Sequence, residues 1–150
     1  MKTPRRSAPV RPFSPSAAFL LAHPCLTIQQ PWAELILLAD KDVENRSWRT
    51  KHRGPLLIHA GMNLVSKATQ ADYIAHSPGY ENFPFDRLDY GAVIGVVDVV
   101  DCVTKHASPY FGGPFGFVLA NPRRFTRPLP MKGRLGMFHL RHTDLPPGLN

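Results

Sequence analysis

Lys41, Glu44 and Arg46 place two bases around one acid within a short stretch of the chain. In an extended segment the side chains alternate between faces, so Glu44 and Arg46 share a face and Lys41 enters from the loop before them. The two bases would keep the carboxylate ionised and oriented. Such a group could bind phosphate through its bases while Glu44 accepts a hydrogen bond from a base amino group. The alternative is a surface ion-pair ladder, which would stabilise the protein little.

Four further residues have side chains that could contact a ligand. Trp32 follows a helix-opening proline and Trp48 has arginines beside it; each could stack on an unpaired base or pack against the core, and Trp48 is the better candidate for an exposed platform. His59 ends an apolar strand, where a histidine binds a ligand, acts as an acid or base, or is half-buried with its hydrogen bonds satisfied. Asp98 interrupts an apolar strand and needs a partner, either Lys41 across the cleft or a neighbouring turn.

Basic residues are concentrated in two clusters, although the net charge of the chain is +7. The first basic cluster spans residues 41–53, where two acids accompany five bases: Lys41, Arg46, Arg49, Lys51 and Arg53. The second basic cluster spans residues 123–134 and has no acid beside its five bases: Arg123, Arg124, Arg127, Lys132 and Arg134. Residues 1–24 carry a charge of +4 and the two clusters together carry +8. The remaining residues therefore carry −5. This pattern favours a polyanionic partner, with two solvated surface segments as the alternative.

Composition and periodicity predict one folded domain built from short elements. Sixteen prolines argue against a helical bundle. Residues 1–22 are predicted to be a disordered, basic, proline-rich tail, with the folded body starting near His23. Apolar patterns predict strands at 25–28, 43–48, 55–60, 92–103, 117–120 and 135–140, with a bulge at Gly95. They predict helices at 32–39 and 63–76, the second capped by Asn63, followed by an aromatic-rich loop over residues 78–90.

The sequence also argues against membrane and metal-binding proteins. No stretch approaches the roughly 18–20 apolar residues of a membrane helix. The two cysteines, Cys25 and Cys102, lie in strand-like runs and show no metal-ligand spacing. We therefore expect reduced cysteines in a cytoplasmic protein that has no membrane partner, no metal and no other cofactor.

Three motifs carry a resemblance to a known family: Leu26-Thr27-Ile28-Gln29-Gln30-Pro31-Trp32-Ala33, Lys41-Asp42-Val43-Glu44-Asn45-Arg46-Ser47-Trp48 and Arg53-Gly54-Pro55-Leu56-Leu57-Ile58-His59-Ala60. Together they resemble the signature of the ASCH domain, in the form found in a transcription coactivator. The resemblance implies an ASCH domain over residues 23–143 and a C-terminal tail over 144–150. It implies an α+β fold, a PUA-like mixed β-barrel with two or more helices packed at its openings, and a cleft suited to RNA or a nucleobase.

One position departs from the family pattern. Ala39 stands where a glycine usually ends the first helix, and a left-handed conformation costs an alanine about 1 kcal/mol. The loop that presents Lys41 is therefore expected to differ from the family geometry.

The predicted function is binding of RNA or other single-stranded nucleic acid in a basic cleft. The predicted binding residues are Trp32, Lys41, Glu44, Arg46, Trp48, Arg49, Lys51, Arg53, His59, Asp98 and Lys132. The alternative is a small hydrolase that acts on RNA or a modified nucleoside, with Lys41 and Glu44 as its catalytic residues. Some bacterial ASCH-like proteins hydrolyse acetylated cytidine with a Lys, a Thr and a Glu. Lys41 matches that lysine, but Glu44 takes the place of the threonine and cannot replace its hydroxyl. A protein-interaction module is the third possibility, and the sequence indicates no particular protein partner.

Overall fold

Seven strands and three α-helices make up the α+β fold seen in the computed structural model, which describes residues 12–76, 83 and 85–150. In chain order the elements are β1 (Pro12–Phe13), α1 (Ala17–Ala22), β2 (Pro24–Gln30), α2 (Trp32–Leu37), β3 (Val43–Arg46), β4 (Gly54–Leu64), α3 (Lys67–His76), β5 (Ala92–Val103), β6 (Phe115–Pro130), β7 (Met137–His139) and a 3-10 turn (His142–Asp144). None of the helices in these described ranges is long and apolar enough to cross a membrane.

The strands form one mixed sheet in the order β1-β6-β5-β4-β2-β7, and β3 pairs with the first part of β6. The pairs β2/β4 and β1/β6 are parallel and the other pairs are antiparallel. Among the described residues no pairing joins β7 to β1 or β3, so the sheet is open. The predicted α+β class is confirmed, whereas closure into a barrel is not seen.

Helix α2 packs its buried face on the sheet and belongs to the larger of the apolar core clusters. Gly95 in β5 makes this close approach possible, because a Cβ at that position would lie 2.6 Å from both the Leu37 Cδ2 atom and the Arg123 carbonyl oxygen. The pairing of β5 with β6 shifts register between Val93 and Gly95, as the predicted bulge requires. The apolar residues that surround α2 are Leu26, Ile28, Leu56, Ile58, Ile94, Val97, Val99 and Phe117.

The prediction of a disordered tail is wrong for residues 12–22. The Ser16 side chain caps α1, and Leu20 on that helix is 1% exposed. The Ala17 backbone N–H donates to the Asn150 carbonyl oxygen at 3.1 Å, so the start of α1 contacts the last residue. Burial of Leu20 in a second apolar cluster with Cys25 outweighs a proline-rich composition that favours disorder. The first eleven residues of that prediction lie outside the described residues.

Helix α3 starts later than its apolar spacing predicts. Strand β4 continues to Leu64, and the Ser66 hydroxyl, not Asn63, accepts from the first turn, at 3.2 Å from the Thr69 nitrogen. Of the predicted aromatic loop, residues 78–82 and 84 lie outside the described residues. Phe83 and Phe85 meet edge to face with centroids 4.8 Å apart and pack against Leu35.

Candidate nucleic-acid interface

Glu44 joins Lys41 and Arg46 in one buried ion-pair network at the start of β3. The Lys41 Nζ atom donates to Glu44 Oε1 at 2.8 Å and also to the Val43 carbonyl oxygen. The Arg46 Nε atom donates to Glu44 Oε2 at 3.0 Å. Lys41 is 5% exposed and Glu44 is 7% exposed, so the network is not a surface ladder. The three side chains converge as predicted, but Lys41 and Glu44 satisfy each other inside the protein.

The end of α2 explains why Lys41 turns inward. Ala39 adopts a left-handed φ of 63°. The backbone N–H groups of Asp40 and Lys41 then both donate to the Leu35 carbonyl oxygen at 3.1 Å, which closes the helix. Ala39 therefore adopts the left-handed conformation that a glycine would favour. Its φ angle gives no reason for the loop before Lys41 to differ from the family geometry.

Arg46 leads from this network into a cavity of about 640 Å³, which we call the central cavity. Its Nη2 atom donates to the Thr27 carbonyl oxygen of β2 at 3.0 Å. The opposite wall is the loop between β6 and β7, which brings Lys132 and Arg134 to the same space. The remaining lining residues are His59, Gly61, Met62, Gly91, Met131, Gly133, Leu135 and Gly136. The central cavity is thus where the first and second basic clusters meet.

His59 lies on the wall of the central cavity and is only 1% exposed. Its Nε2 atom is 2.7 Å from the Met131 carbonyl oxygen, which can only accept, so Nε2 carries the proton. Burial lowers the pKa of His59 below its usual 6.5, which keeps the ring neutral at pH 7. The Nδ1 atom is buried with no hydrogen-bond partner among the described residues. His59 is therefore more buried, and less fully satisfied, than the sequence indicated.

Arg134 is held at the cavity by the C-terminal segment. Its two terminal nitrogens donate to the Asp144 carboxylate at 2.6 and 3.0 Å, and this lowers the pKa of Asp144 to about 2. The Arg134 backbone N–H donates to Thr27 Oγ1 at 3.3 Å. The sequence reasoning named neither Arg134 nor Thr27 as site residues. The two glycines in Lys132-Gly133-Arg134-Leu135-Gly136 were the signal that could have indicated a loop lying close to another strand.

The ASCH domain model matches residues 26–127 of this chain. The chain belongs to the ASCH domain family. Activating signal cointegrator 1 of Homo sapiens is 35% identical over 121 residues, a match that covers 73% of this chain and 21% of that protein. Activating signal cointegrator 1 of Mus musculus is 34% identical over the same length and coverage. The chain therefore spans about a fifth of the length of the curated relatives it matches.

Neither tryptophan of this ASCH domain offers a freely exposed ring. Trp48 is half-buried and meets Phe117 of the core edge to face, with centroids 5.2 Å apart. Trp32 is also half-buried and meets Tyr110 edge to face at 6.5 Å. The interpretation of Trp48 as the better exposed platform is not supported, because core packing takes one of its surfaces.

Asp98 does not face Lys41. Its carboxylate accepts from Arg123 at 2.9 Å and from the Asn121 side chain at 3.1 Å. The second alternative, a hydrogen bond to a neighbouring turn, is not seen either, because both partners lie on the adjacent strand β6. Asp98 thus lies apart from the residues that line the central cavity.

The other bases of the first basic cluster are at the surface of the ASCH domain. Arg49, Lys51 and Arg53 are exposed, and the Arg49 guanidinium lies over the Phe115 ring at 5.0 Å. This segment runs beside β7, since the Thr50 hydroxyl is 3.7 Å from the Met137 sulfur.

Cys25 and Cys102 are both free. The part of the chain that the structure describes contains no group of His, Cys, Asp and Glu side chains placed to hold a metal ion.

Proposed function

We propose that this ASCH domain binds single-stranded nucleic acid, RNA or DNA, at the central cavity. One observation carries the proposal: Arg46 from the first basic cluster and Lys132 from the second lie on the wall of the same cavity. They are far apart in the sequence, and the fold brings both to one concave surface. A strand of phosphates is the partner whose charge fits both.

The positive charge around this cavity survives internal pairing. Lys41, Glu44 and Arg46 together carry +1, since two bases share one acid. The pairing of Arg134 with Asp144 is neutral overall. Lys132 is exposed and has no ion pair in the described part of the chain. These charges, with the exposed Arg49, Lys51 and Arg53 segment beside β7, form a surface that attracts a polyanion.

The family supports this function through its resemblance to PUA-like nucleic-acid-binding domains. A PUA-like relationship is part of the proposal, since the described strand pairings leave the sheet open. We also propose a cytoplasmic location, because the two free cysteines suit a reducing compartment. The proposal concerns this domain alone, because the chain spans about a fifth of activating signal cointegrator 1.

Hydrolase chemistry through Lys41 and Glu44 finds no supporting observation. Both side chains are buried, and Lys41 donates to Glu44 and to the Val43 carbonyl oxygen. The cavity that Lys41 lines is about 130 Å³, whereas ligand sites usually hold about 300 Å³ or more. We propose that Lys41 and Glu44 instead hold Arg46 in place.

The test measures the affinity of the full chain as a function of salt concentration. The ligands are a single-stranded RNA, a single-stranded DNA and a duplex of matched length and sequence. We expect binding to single strands to be at least as tight as binding to duplex, and to weaken steeply as salt rises. Lys132→Ala should weaken binding several-fold and reduce the slope of log affinity against log salt by about 0.7. Arg127→Ala is the matched control, because Arg127 is another exposed base of the second basic cluster but does not line the central cavity.

Two results would overturn the proposal. One is affinity that does not change with salt. The other is an equal loss of affinity in the Lys132 and Arg127 variants, because binding would then follow total charge and not the central cavity.

A further inference from the structure

Arg134 anchors the loop between β6 and β7 at the wall of the central cavity. Its backbone N–H donates to Thr27 Oγ1 at 3.3 Å, and its guanidinium binds the Asp144 carboxylate at 2.6 and 3.0 Å. The guanidinium also lies over the Phe138 ring, 5.2 Å from its centroid. Leu135 beside it is 100% exposed, so apolar packing at that position does not hold the loop. Arg134 is therefore fixed at both its backbone and its side chain.

Asp144 is itself held in place by the C-terminal segment. The Arg141 backbone N–H donates to Asp144 Oδ2 at 2.7 Å, within the 3-10 turn. Leu140 before the turn is 4% exposed, and Leu145 after it packs against the same apolar cluster. The carboxylate is thus a fixed point against which the Arg134 side chain is oriented.

This ion pair differs from the other arginine pairs of the second basic cluster. Arg123 and Arg124 each reach their acid through one nitrogen, whereas Arg134 uses two nitrogens on two carboxylate oxygens. A bidentate pair fixes the plane of a guanidinium as well as its position. It uses two of the five N–H donors of an arginine, so the other donors remain for a second acceptor. Because Arg134 lines the central cavity, an anion bound there can be that acceptor.

We propose that Asp144 is a positioning residue for nucleic-acid binding, which holds the Arg134 guanidinium in the orientation in which its remaining donors bind one phosphate of the strand. This inference rests on the proposed function and adds a residue outside residues 26–127, the range that the family model matches. Pre-organisation is the physical reason, since a side chain that is already ordered loses less entropy on binding. Charge alone gives the opposite expectation, because an acid beside the cavity weakens the attraction for a polyanion.

The variant Asp144→Asn separates these two effects by the sign of the change in affinity. It raises the net charge of the chain by one, so charge alone would tighten binding of a single-stranded RNA at a fixed salt concentration. We expect the full chain instead to bind about tenfold more weakly, as the loss of one charge-assisted hydrogen bond gives. Asp144→Glu keeps the carboxylate and should restore part of the lost affinity.

Glu34→Gln is the matched control for this change. It removes the acid from the Arg124 pair, whose two side chains are similarly exposed but do not line the central cavity. The net charge rises by one here as well, so affinity should stay the same or increase slightly.

A double-variant cycle tests whether Asp144 acts through Arg134. Arg134→Ala alone should weaken binding at least as much as Asp144→Asn. When Arg134→Ala is already present, adding Asp144→Asn should cause no further loss, because the carboxylate has nothing left to orient. A general loss of folding would instead weaken binding in both backgrounds, and chemical denaturation measures the stability of every variant.

The outcomes separate this inference from the proposed function. If the unmodified chain does not bind single strands, or binds them with no salt dependence, the proposed function is wrong and the positioning role fails with it. If the unmodified chain binds as proposed but Asp144→Asn binds equally tightly or more tightly, nucleic-acid binding stands and the positioning role is wrong. The role is also overturned if Asp144→Asn weakens binding equally with and without Arg134→Ala, or if Glu34→Gln causes the same loss.

Discussion

The two basic clusters use their charge differently. In the first basic cluster Lys41 is buried and Arg46 is partly buried, while the other three bases are exposed. In the second basic cluster three of the five bases are neutralised by acids elsewhere in the chain: Arg123 by Asp98, Arg124 by Glu34 and Arg134 by Asp144. The second cluster is richer in charge by sequence, yet in the described structure only Arg127 and Lys132 of it lack an ion pair.

This difference shows that a run of bases in sequence is not a measure of available charge. The acids that pair with the second cluster lie 25, 90 and 10 positions away, so no local window would reveal them. In the first cluster the neutralising acid, Glu44, is local but shared between two bases. Burial also differs, since the Lys41 and Glu44 pair is inside the protein, whereas the Arg124 and Glu34 side chains are 32% and 17% exposed.

The largest expected effect comes from removing the acid of the buried network. Glu44→Gln leaves the Lys41 ammonium buried without a counter-ion, which should lower the free energy of unfolding by about 3–5 kcal/mol. Glu34→Gln removes the acid from the more exposed Arg124 pair and should cost less than about 1 kcal/mol. Chemical denaturation of both variants measures the difference. Adding Lys41→Met to Glu44→Gln should restore much of the lost stability. Equal destabilisation by Glu44→Gln and Glu34→Gln would contradict the comparison.

A smaller effect, on nucleic-acid affinity, is expected when two bases are neutralised together. One double variant removes exposed bases without ion pairs, and the other removes bases that have ion pairs. Arg49→Gln with Lys51→Gln removes two exposed charges that have no ion pair in the described chain. It should weaken binding to single strands about tenfold and reduce the salt slope by about 1.4.

The comparison double in the second cluster is Arg123→Gln with Arg124→Gln. Because those bases already share their charge with Asp98 and Glu34, the salt slope should change little. Affinity titrations at several salt concentrations measure both slopes. A larger change in slope from the Arg123 and Arg124 double would show that their ion pairs open when the ligand binds.

The smallest effect concerns the turn that leads into the first basic cluster. Ala39→Gly relieves the left-handed φ of 63° and should raise the free energy of unfolding by about 0.5–1 kcal/mol. Ala107→Gly is the control: Ala107 is also an exposed alanine outside helices and strands, but its φ is not positive, so this change should be neutral or destabilising. Thermal denaturation detects the difference. A loss of stability in Ala39→Gly would mean that the Cβ of Ala39 makes a contact that outweighs the strain.

Local patterns in the sequence determined the family, the α+β class and the grouping of Lys41, Glu44 and Arg46. The alternating side chains of a strand place Glu44 and Arg46 on one face whatever the rest of the chain does, and a glycine within an apolar strand indicated the bulge at Gly95. These features depend on residues a few positions apart, so the sequence carries them directly.

The tertiary structure alone decided burial, long-range pairing and the shape of the cavity. Composition predicted disorder for residues 12–22, but Leu20 packs with Cys25 in an apolar cluster. Charge predicted an open basic segment at 123–134, yet sheet register brings Asp98 to Arg123, and chain packing brings Asp144 to Arg134. The exposure of Leu135 likewise follows from where the loop between β6 and β7 lies. Such contacts join residues whose separation in the sequence carries no periodic signal, so only the packed chain determines which of them meet.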